Sequence, residues 1–397
     1  MTEVVGPPRW RGGNFGPFLI AAVVVVAMVV GTRWTGTLIG KPPTSTTVGE
    51  QPSAGTSATP GPLPGATSTT PIHPVVTRTE PIDALGPTTS VSFPLGDLLS
   101  VSPDGRLALV WTQLAPANQV ELNAVPLMGG DPIRLGIAGY EPRGPDDAVD
   151  RLALPAWSAD SRSVAFENGA RGTIASLVGD APIQFTALSD TPLTALSEGG
   201  FVFNTPSGPR VAGRADVPSL AGAAGLSDVV YFPDGRAAVG ADEAGNLVWT
   251  DGRVRDVVAR QPDYAFPLAW RLVSRSSQAL VLVSEILPIR TAYVVGSNGM
   301  VTTLELGDPC GAPSVSDAGA FAAFHTCDRS VEAAGSAAYY SLRIMRLSDG
   351  ASVGIGPGAV EPVFLPGTHH LVWLGLSGNP PVQPTYTLSI ASNEVLP

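Results

Sequence analysis

Three stretches decide the fold: "LSVSPDGRLALVW" at 99–111, "PAWSADSRSVAF" at 155–166 and "VVYFPDGRAAVGA" at 229–241. Each reads as a short apolar strand, a tight Asp/Gly turn and a second apolar strand, which is a β-hairpin. Weaker copies follow the same pattern at 193–204, 269–283, 312–324 and 361–374. The residues at the glycine position of the seven turns are Gly105, Ser161, Gly199, Gly235, Ser277, Gly319 and Gly367. They stand 36 to 56 residues apart, with a mean of about 44, the period of a four-stranded propeller blade. Further strands with their own turns follow the hairpins, as in "GNLVWTDGRVRDVV" (245–258) and "AYVVGSNGMVTTLEL" (292–306).

The second strands separate the possible architectures. "LALVW" (107–111), "ALVLV" (279–283), "FAAF" (321–324) and "LVWL" (371–374) are apolar on both faces, so each must be covered on both sides. Blades stacked around an axis provide that cover, whereas a sandwich leaves one face wet. No stretch beyond residue 85 has a sustained helical period, so helices are not available to shield the sheets. The expected fold is all-β: a propeller of seven four-stranded blades, with six or eight left open by the degenerate copies. "PTTSVSFP" (87–94) precedes the first repeat and is expected to supply the outer strand of the last blade, which would otherwise expose an edge.

The strings "SVSPDGRLALVW", "AWSADSRSVAF" and "YFPDGRAAV" resemble the WD40-like repeats of TolB-type β-propellers, over roughly residues 91–397. That resemblance implies a propeller that binds proteins or small ligands; it says little about which.

Ahead of the repeats, 21 residues without a charge lie between Arg11 and Arg33, bracketed by Trp10 and Trp34. At about 1.5 Å per residue such a run spans a bilayer core. The expected organisation is a cytoplasmic tail (1–14), a transmembrane signal anchor (15–32), a disordered Pro/Ser/Thr-rich linker (33–84) and an extracytoplasmic propeller (85–397). A cleaved signal peptide shares the pattern, but the run is long and has no clean A-x-A site. The only cysteines are Cys310 and Cys327, so none directly follows the run to be lipidated, which excludes a lipoprotein. The linker has too few apolar residues to offset its ordering entropy.

The chain has 397 residues and a net charge of −11. Residues 1–41 carry +3 and residues 42–80 carry −1, so −13 falls on residues 81–397. A domain that acidic repels phosphate backbones, so nucleic acid is not an expected partner.

In a propeller the A–B and C–D turns share one face and the B–C and D–A connections share the other. The A–B turns are tight, while the long connections "AGYEPRGPDDAVDR" (138–151), "SEILPIR" (284–290), "CDRSVEAAGSAA" (327–338) and "SGNPPVQP" (377–384) fall on the opposite face. Loops on a rigid scaffold carry recognition. The candidate binding residues are therefore Arg143, Asp146, Asp147, Asp150, Arg151, Glu285, Arg290, Asp328 and Arg329. Cys310 and Cys327 flank one hairpin nearly equidistant from its turn, which suits a disulfide outside the cytoplasm.

No catalytic set stands out. Asp146, Asp147 and Asp150 could offer oxygens to Ca²⁺, but their spacing fits no EF-hand and solvated loop acids are commoner. His369 and His370 fall next to each other on an expected strand and point to opposite faces, His325 ends a strand, and His73 lies in the linker. "GSNG" (296–299) lacks the strand–turn–helix setting of a nucleophile serine. No metal or cofactor is expected. The leading reading is a membrane-tethered scaffold for a protein, peptide or glycan. A glycan lyase or hydrolase with acids such as Asp146 or Glu285 at the channel mouth is the rival, and an accessory or sensor subunit is a third reading.

Overall fold

The computed structural model describes residues 71–72, 75–86, 89–93, 96–113, 119–139, 154–188, 191–214, 220–260, 270–284, 291–306, 311–327, 339–377 and 385–397. Three strands precede the repeats: β1 (Pro71–Ile72), β2 (Val75–Pro81) and β3 (Thr89–Phe93), with a 3-10 turn at Ile82–Leu85. Blade 1 holds β4 (Gly96–Val101), β5 (Leu107–Gln113), β6 (Gln119–Pro126) and β7 (Ile133–Gly139). Blade 2 holds β8 (Ala156–Trp157), β9 (Ser163–Asn168), β10 (Arg171–Ser176) and β11 (Ile183–Thr186). Blade 3 shows β12 (Thr194–Ala195), β13 (Phe201–Thr205) and β14 (Gly208–Ala212). Blade 4 holds β15 (Ser227–Tyr231), β16 (Ala238–Ala241), β17 (Leu247–Thr250) and β18 (Arg255–Ala259). Blade 5 holds β19 (Trp270–Arg275), β20 (Ala279–Ser284), β21 (Thr291–Gly296) and β22 (Val301–Glu305). Blade 6 holds β23 (Ser314–Val315), β24 (Phe321–Cys327), β25 (Tyr340–Arg346) and β26 (Ala351–Gly356). Blade 7 holds β27 (Ala359–Phe364), β28 (Leu371–Ser377) and β29 (Thr385–Ile390).

Seven sheets result, one per expected hairpin, and the strands within each blade pair antiparallel. The second strands are the core that their two-sided apolarity requires: Ala108, Leu109 and Val110 of β5 and Ala279 through Val283 of β20 are buried, as are Leu371 through Leu374 of β28. Burying one such Leu or Val fully contributes about 1.5–3 kcal/mol. The apolar residues fall into seven clusters, and each cluster bridges two consecutive blades. The cluster of Leu98, Val110, Val360 and Val372 joins blade 7 to blade 1, so the ring is closed.

Closure follows the expected route. β3 pairs antiparallel with β29, from Phe93 opposite Tyr386 to Thr89 opposite Ile390, and completes blade 7 as its outer strand. The N-terminal segment does more than close the ring. β1 adds parallel to β22 on blade 5, and β2 adds parallel to β26 on blade 6. This corrects the linker boundary at 84: residues 71–72 and 75–81 are strands on the rim. An outermost strand needs only one side of its backbone paired, so the prolines at 71 and 81 are tolerated there. Among the described residues no helix is long and apolar enough to cross a membrane; the expected tail and span at 1–32 and the linker up to residue 70 lie outside them.

The turns confirm the repeat and refine it. Gly105, Ser161, Gly199, Gly235, Gly319 and Gly367 all have positive φ, between 61° and 94°. Ser161 is the one side chain among them, and its Oγ accepts the N–H of Asp104 in the neighbouring blade at 3.0 Å. Blade 5 departs from the pattern: its turn closes earlier, from the N–H of Ser276 to the carbonyl of Ala279, and Ser277 stays out of the left-handed region. His369 and His370 also differ from expectation, since they end the blade 7 turn and β28 starts at Leu371.

Candidate functional site

The innermost strands of six blades, with Pro233 of blade 4, border a central channel, a cavity of about 590 Å³. One residue from each A–B turn rings its tight-turn mouth: Pro103, Ala159, Ser197, Pro233, Ser277, Asp317 and Pro366. Each directly follows the first residue of its turn, so the seven-fold repeat is what shapes the opening. Asp317 is the acid in this ring, and its carboxylate is engaged by the backbone, accepting the N–H groups of Ser277 and Gly367 from the blades on either side. It staples turns together rather than facing a ligand.

Inside, the channel is lined mainly by apolar groups such as Leu99, Trp111, Trp157 and Val273, and Trp157 Nε1 donates to Ser100 Oγ at 3.1 Å. The charged side chains are few and placed. Arg275, at the end of β19, reaches across the axis and donates to three carbonyls on the far side: Leu193 of blade 3, and Leu154 (2.9 Å) and Pro155 (3.3 Å) of blade 2. Burial pushes its pKa down to about 10, which still leaves it protonated at neutral pH. Arg275 is a strut through the ring.

Asp97, Arg271 and Glu361 line the channel near the starts of β4 and β19 and within β27, towards the loop-rich end. A bulge between Val360 and Val363 gives Glu361 a φ of 48°. Its N–H donates to His325 Nδ1 at 3.2 Å, and its Oε1 lies 4.0 Å from His325 Nε2. Gly311 makes room for that buried ring, since a Cβ there would stand 2.1 Å from His325 Cε1.

Four long connections join strands at the end opposite the tight A–B turns; the connection from β14 to β15 (213–226) leaves its third strand from the tight-turn end. The segments 140–153, 285–290, 328–338 and 378–384 join strands at the B–C and D–A end of the ring. The sequence-derived candidates Arg143, Asp146, Asp147, Asp150, Arg151, Glu285, Arg290, Asp328 and Arg329 stand in these segments, outside the described residues; Cys310, in 307–310, also lies outside them. Cys327 ends β24 and is disulfide-bonded. Among the described residues no group of three or more His, Cys, Asp or Glu could hold a metal ion.

Sequence reasoning missed the channel arginines. The signal was present in "AWRLVSRSS": Arg275 occupies the position held by Val101, Trp157, Ala195, Tyr231, Val315 and Phe364 in the other blades.

No family model matches the chain, and no curated protein matches it. Solved structures similar to it include an oligogalacturonate lyase in complex with manganese, at 11% identity and a TM-score of 0.45, covering 77% of this chain and 97% of that one. The Cps50 (Swd1) β-propeller domain of Myceliophteria thermophila is similar at 14% identity and a TM-score of 0.42, covering 77% and 100%. A chain of a mitotic checkpoint complex is similar at 10% and 0.45, covering 88% and 99%. The propeller assignment rests on the seven sheets and their closed order, not on these likenesses.

Proposed function

We propose that the chain is a membrane-tethered, extracytoplasmic propeller that holds a protein, peptide or glycan on its loop-rich face. The observation that supports this most is the placement of the connections: the A–B turns at one end are short, and the connections 140–153, 285–290, 328–338 and 378–384 join strand ends at the other. A rigid ring presenting variable loops is a recognition surface. The acids and arginines of those connections give it both signs of charge, which suits a polar partner, and the charge of −13 on residues 81–397 disfavours nucleic acid.

The test is deletion of 140–153 in the full-length chain, followed by affinity capture from detergent-solubilised membranes. Loss of the captured partner is expected. Capture of the same partners at the same strength assigns the working surface elsewhere.

A glycan-active enzyme is the second reading, favoured by one observation: Asp97 and Glu361 bring carboxylates to the channel on adjacent blades. If they act as a catalytic pair, Asp97→Asn and Glu361→Gln abolish turnover of a glycan that still binds. Turnover surviving both substitutions removes that reading.

A further inference from the structure

The cavity inside the ring is lopsided. Blade 3 contributes Ala195 and Ser197 to its lining and blade 4 contributes Pro233, while blades 1, 2, 5, 6 and 7 supply the rest. Arg275 accounts for the asymmetry. Its guanidinium crosses from blade 5 to the carbonyls of Leu193, Leu154 and Pro155, and so walls off the side that blades 3 and 4 would line. What remains is about 590 Å³, inside the range of about 300–1,000 Å³ that takes a drug-sized molecule.

Much of the polar lining is taken up by the ring itself. Ser100 Oγ accepts from Trp157 Nε1 at 3.1 Å, Ser314 Oγ accepts the N–H of Phe364 at 3.3 Å, and Ser276 Oγ donates to the carbonyl of Asp317 at 3.2 Å. The wall between these groups is apolar: the indoles of Trp111 and Trp157, with Leu99, Val363 and Leu365 partly exposed beside them. Water is poorly held against such a wall, because an enclosed water needs about two to four polar partners. An apolar body that displaces it gains the burial of its own surface.

The charged part of the lining selects the head group. Asp97 begins β4 of blade 1, Glu361 stands in β27 of the adjacent blade 7, and Arg271 lies on β19 of blade 5, all partly exposed. Both signs of charge therefore border one low-dielectric space. An anionic head meets Asp97 and Glu361, a cationic head meets Arg271, and a like-charge contact costs more there than in water. A hydroxyl or amide avoids both, since it donates to a carboxylate and accepts from a guanidinium.

We infer that the channel binds a small uncharged organic molecule, its apolar body against Trp111, Trp157 and Leu99 and its hydroxyl or amide head towards Asp97, Arg271 and Glu361. The site lies inside the ring and is separate from the loop-rich face, so partner capture by that face and ligand binding in the channel stand or fall independently.

The test irradiates the detergent-solubilised full-length chain with a trifluoromethyl-diazirinyl benzyl alcohol and maps the adducts by peptide mass spectrometry. Adducts should concentrate on residues 97–101, 154–157 and 361–367, saturate with probe concentration, and vanish under excess tert-butylbenzyl alcohol. The matching benzoic acid and benzylamine should label these segments about tenfold less. Ala195→Trp combined with Ser274→Trp replaces two small lining residues and should reduce labelling by the alcohol about tenfold, whereas Val257→Trp, exposed on the outer strand β18, should leave it unchanged. No adduct in the channel segments, or labelling that rises linearly with probe and spreads over the surface, overturns the site. Saturable labelling by the acid or the amine as strong as by the alcohol overturns the uncharged class. Should the filled variant fail to melt cooperatively, the saturation curve and the adduct map of the parent chain decide the matter alone.

Discussion

Replacing Arg275 with Met tests whether the channel strut stabilises the ring. Its guanidinium donates to the carbonyls of Leu193, Leu154 and Pro155, tying blade 5 to blades 2 and 3. Three hydrogen bonds from a charged donor are worth roughly 5 kcal/mol in total at the lower end of the usual range. Against this stands the cost of removing the cation from water, visible in a pKa lowered from 12.5 to about 10, or roughly 3 kcal/mol. The net is about 2 kcal/mol in favour of the strut. Met keeps most of the stem volume and removes the donors, leaving three carbonyls to channel water. For a ring of about 300 residues this lowers Tm by roughly 3 °C. The assay is differential scanning calorimetry of both forms, with urea unfolding to confirm an unchanged m-value. Arg275→Lys should fall between them, because one ammonium cannot serve all three carbonyls. If Arg275→Met melts at or above the parent temperature, desolvation cancels the hydrogen bonds and the strut does not stabilise the ring.

Ser158→Ala should sensitise the ring to acid. The Ser158 hydroxyl, helped by the N–H of Arg162, holds the Asp160 carboxyl below its ordinary value. A lowered folded-state pKa gives stability that is present above about pH 4 and lost as pH falls through the folded value; the substitution should raise the pH midpoint of acid unfolding, read by circular dichroism. At Ser161 the left-handed φ of 61° costs about 1 kcal/mol, and the bond from Asp104 returns a similar amount. Ser161→Ala should therefore lose about 1 kcal/mol in urea titration while Ser161→Gly stays within about 0.5; the reverse order would remove the inter-blade bond from the account. Replacing both Ser90 and Val91 with proline removes the one of these two N–H groups that faces β29, and should weaken the closure of blade 7 by about 1 kcal/mol or more; an unchanged urea midpoint would mean that β3 does not hold the ring shut.

The candidate binding surface was only partly legible in the sequence. Short-range chemistry reported the turn ends of the ring: Ser-Pro-Asp-Gly at 102–105 and Phe-Pro-Asp-Gly at 232–235 place a left-handed residue where a hairpin must reverse. The connections carrying Arg143 through Arg151 were placed on the opposite end by counting strands alone. Arg275 was not recognised, because its partners lie 82 to 121 positions away. No local pattern encodes a contact whose reach depends on the width of a channel.

By itself the sequence determined the repeat, the hairpins, the two-sided burial of the second strands and the N-terminal strand that closes blade 7. These follow from backbone turn preferences and from apolar surface that has to be covered, and both act between near neighbours. Only the tertiary structure decided the count of seven, the strap of β1 and β2 along blades 5 and 6, the seven-residue mouth and the strut across it. Those depend on how many blades complete a circle and on what their inner edges then face, and that is a property of the assembled ring.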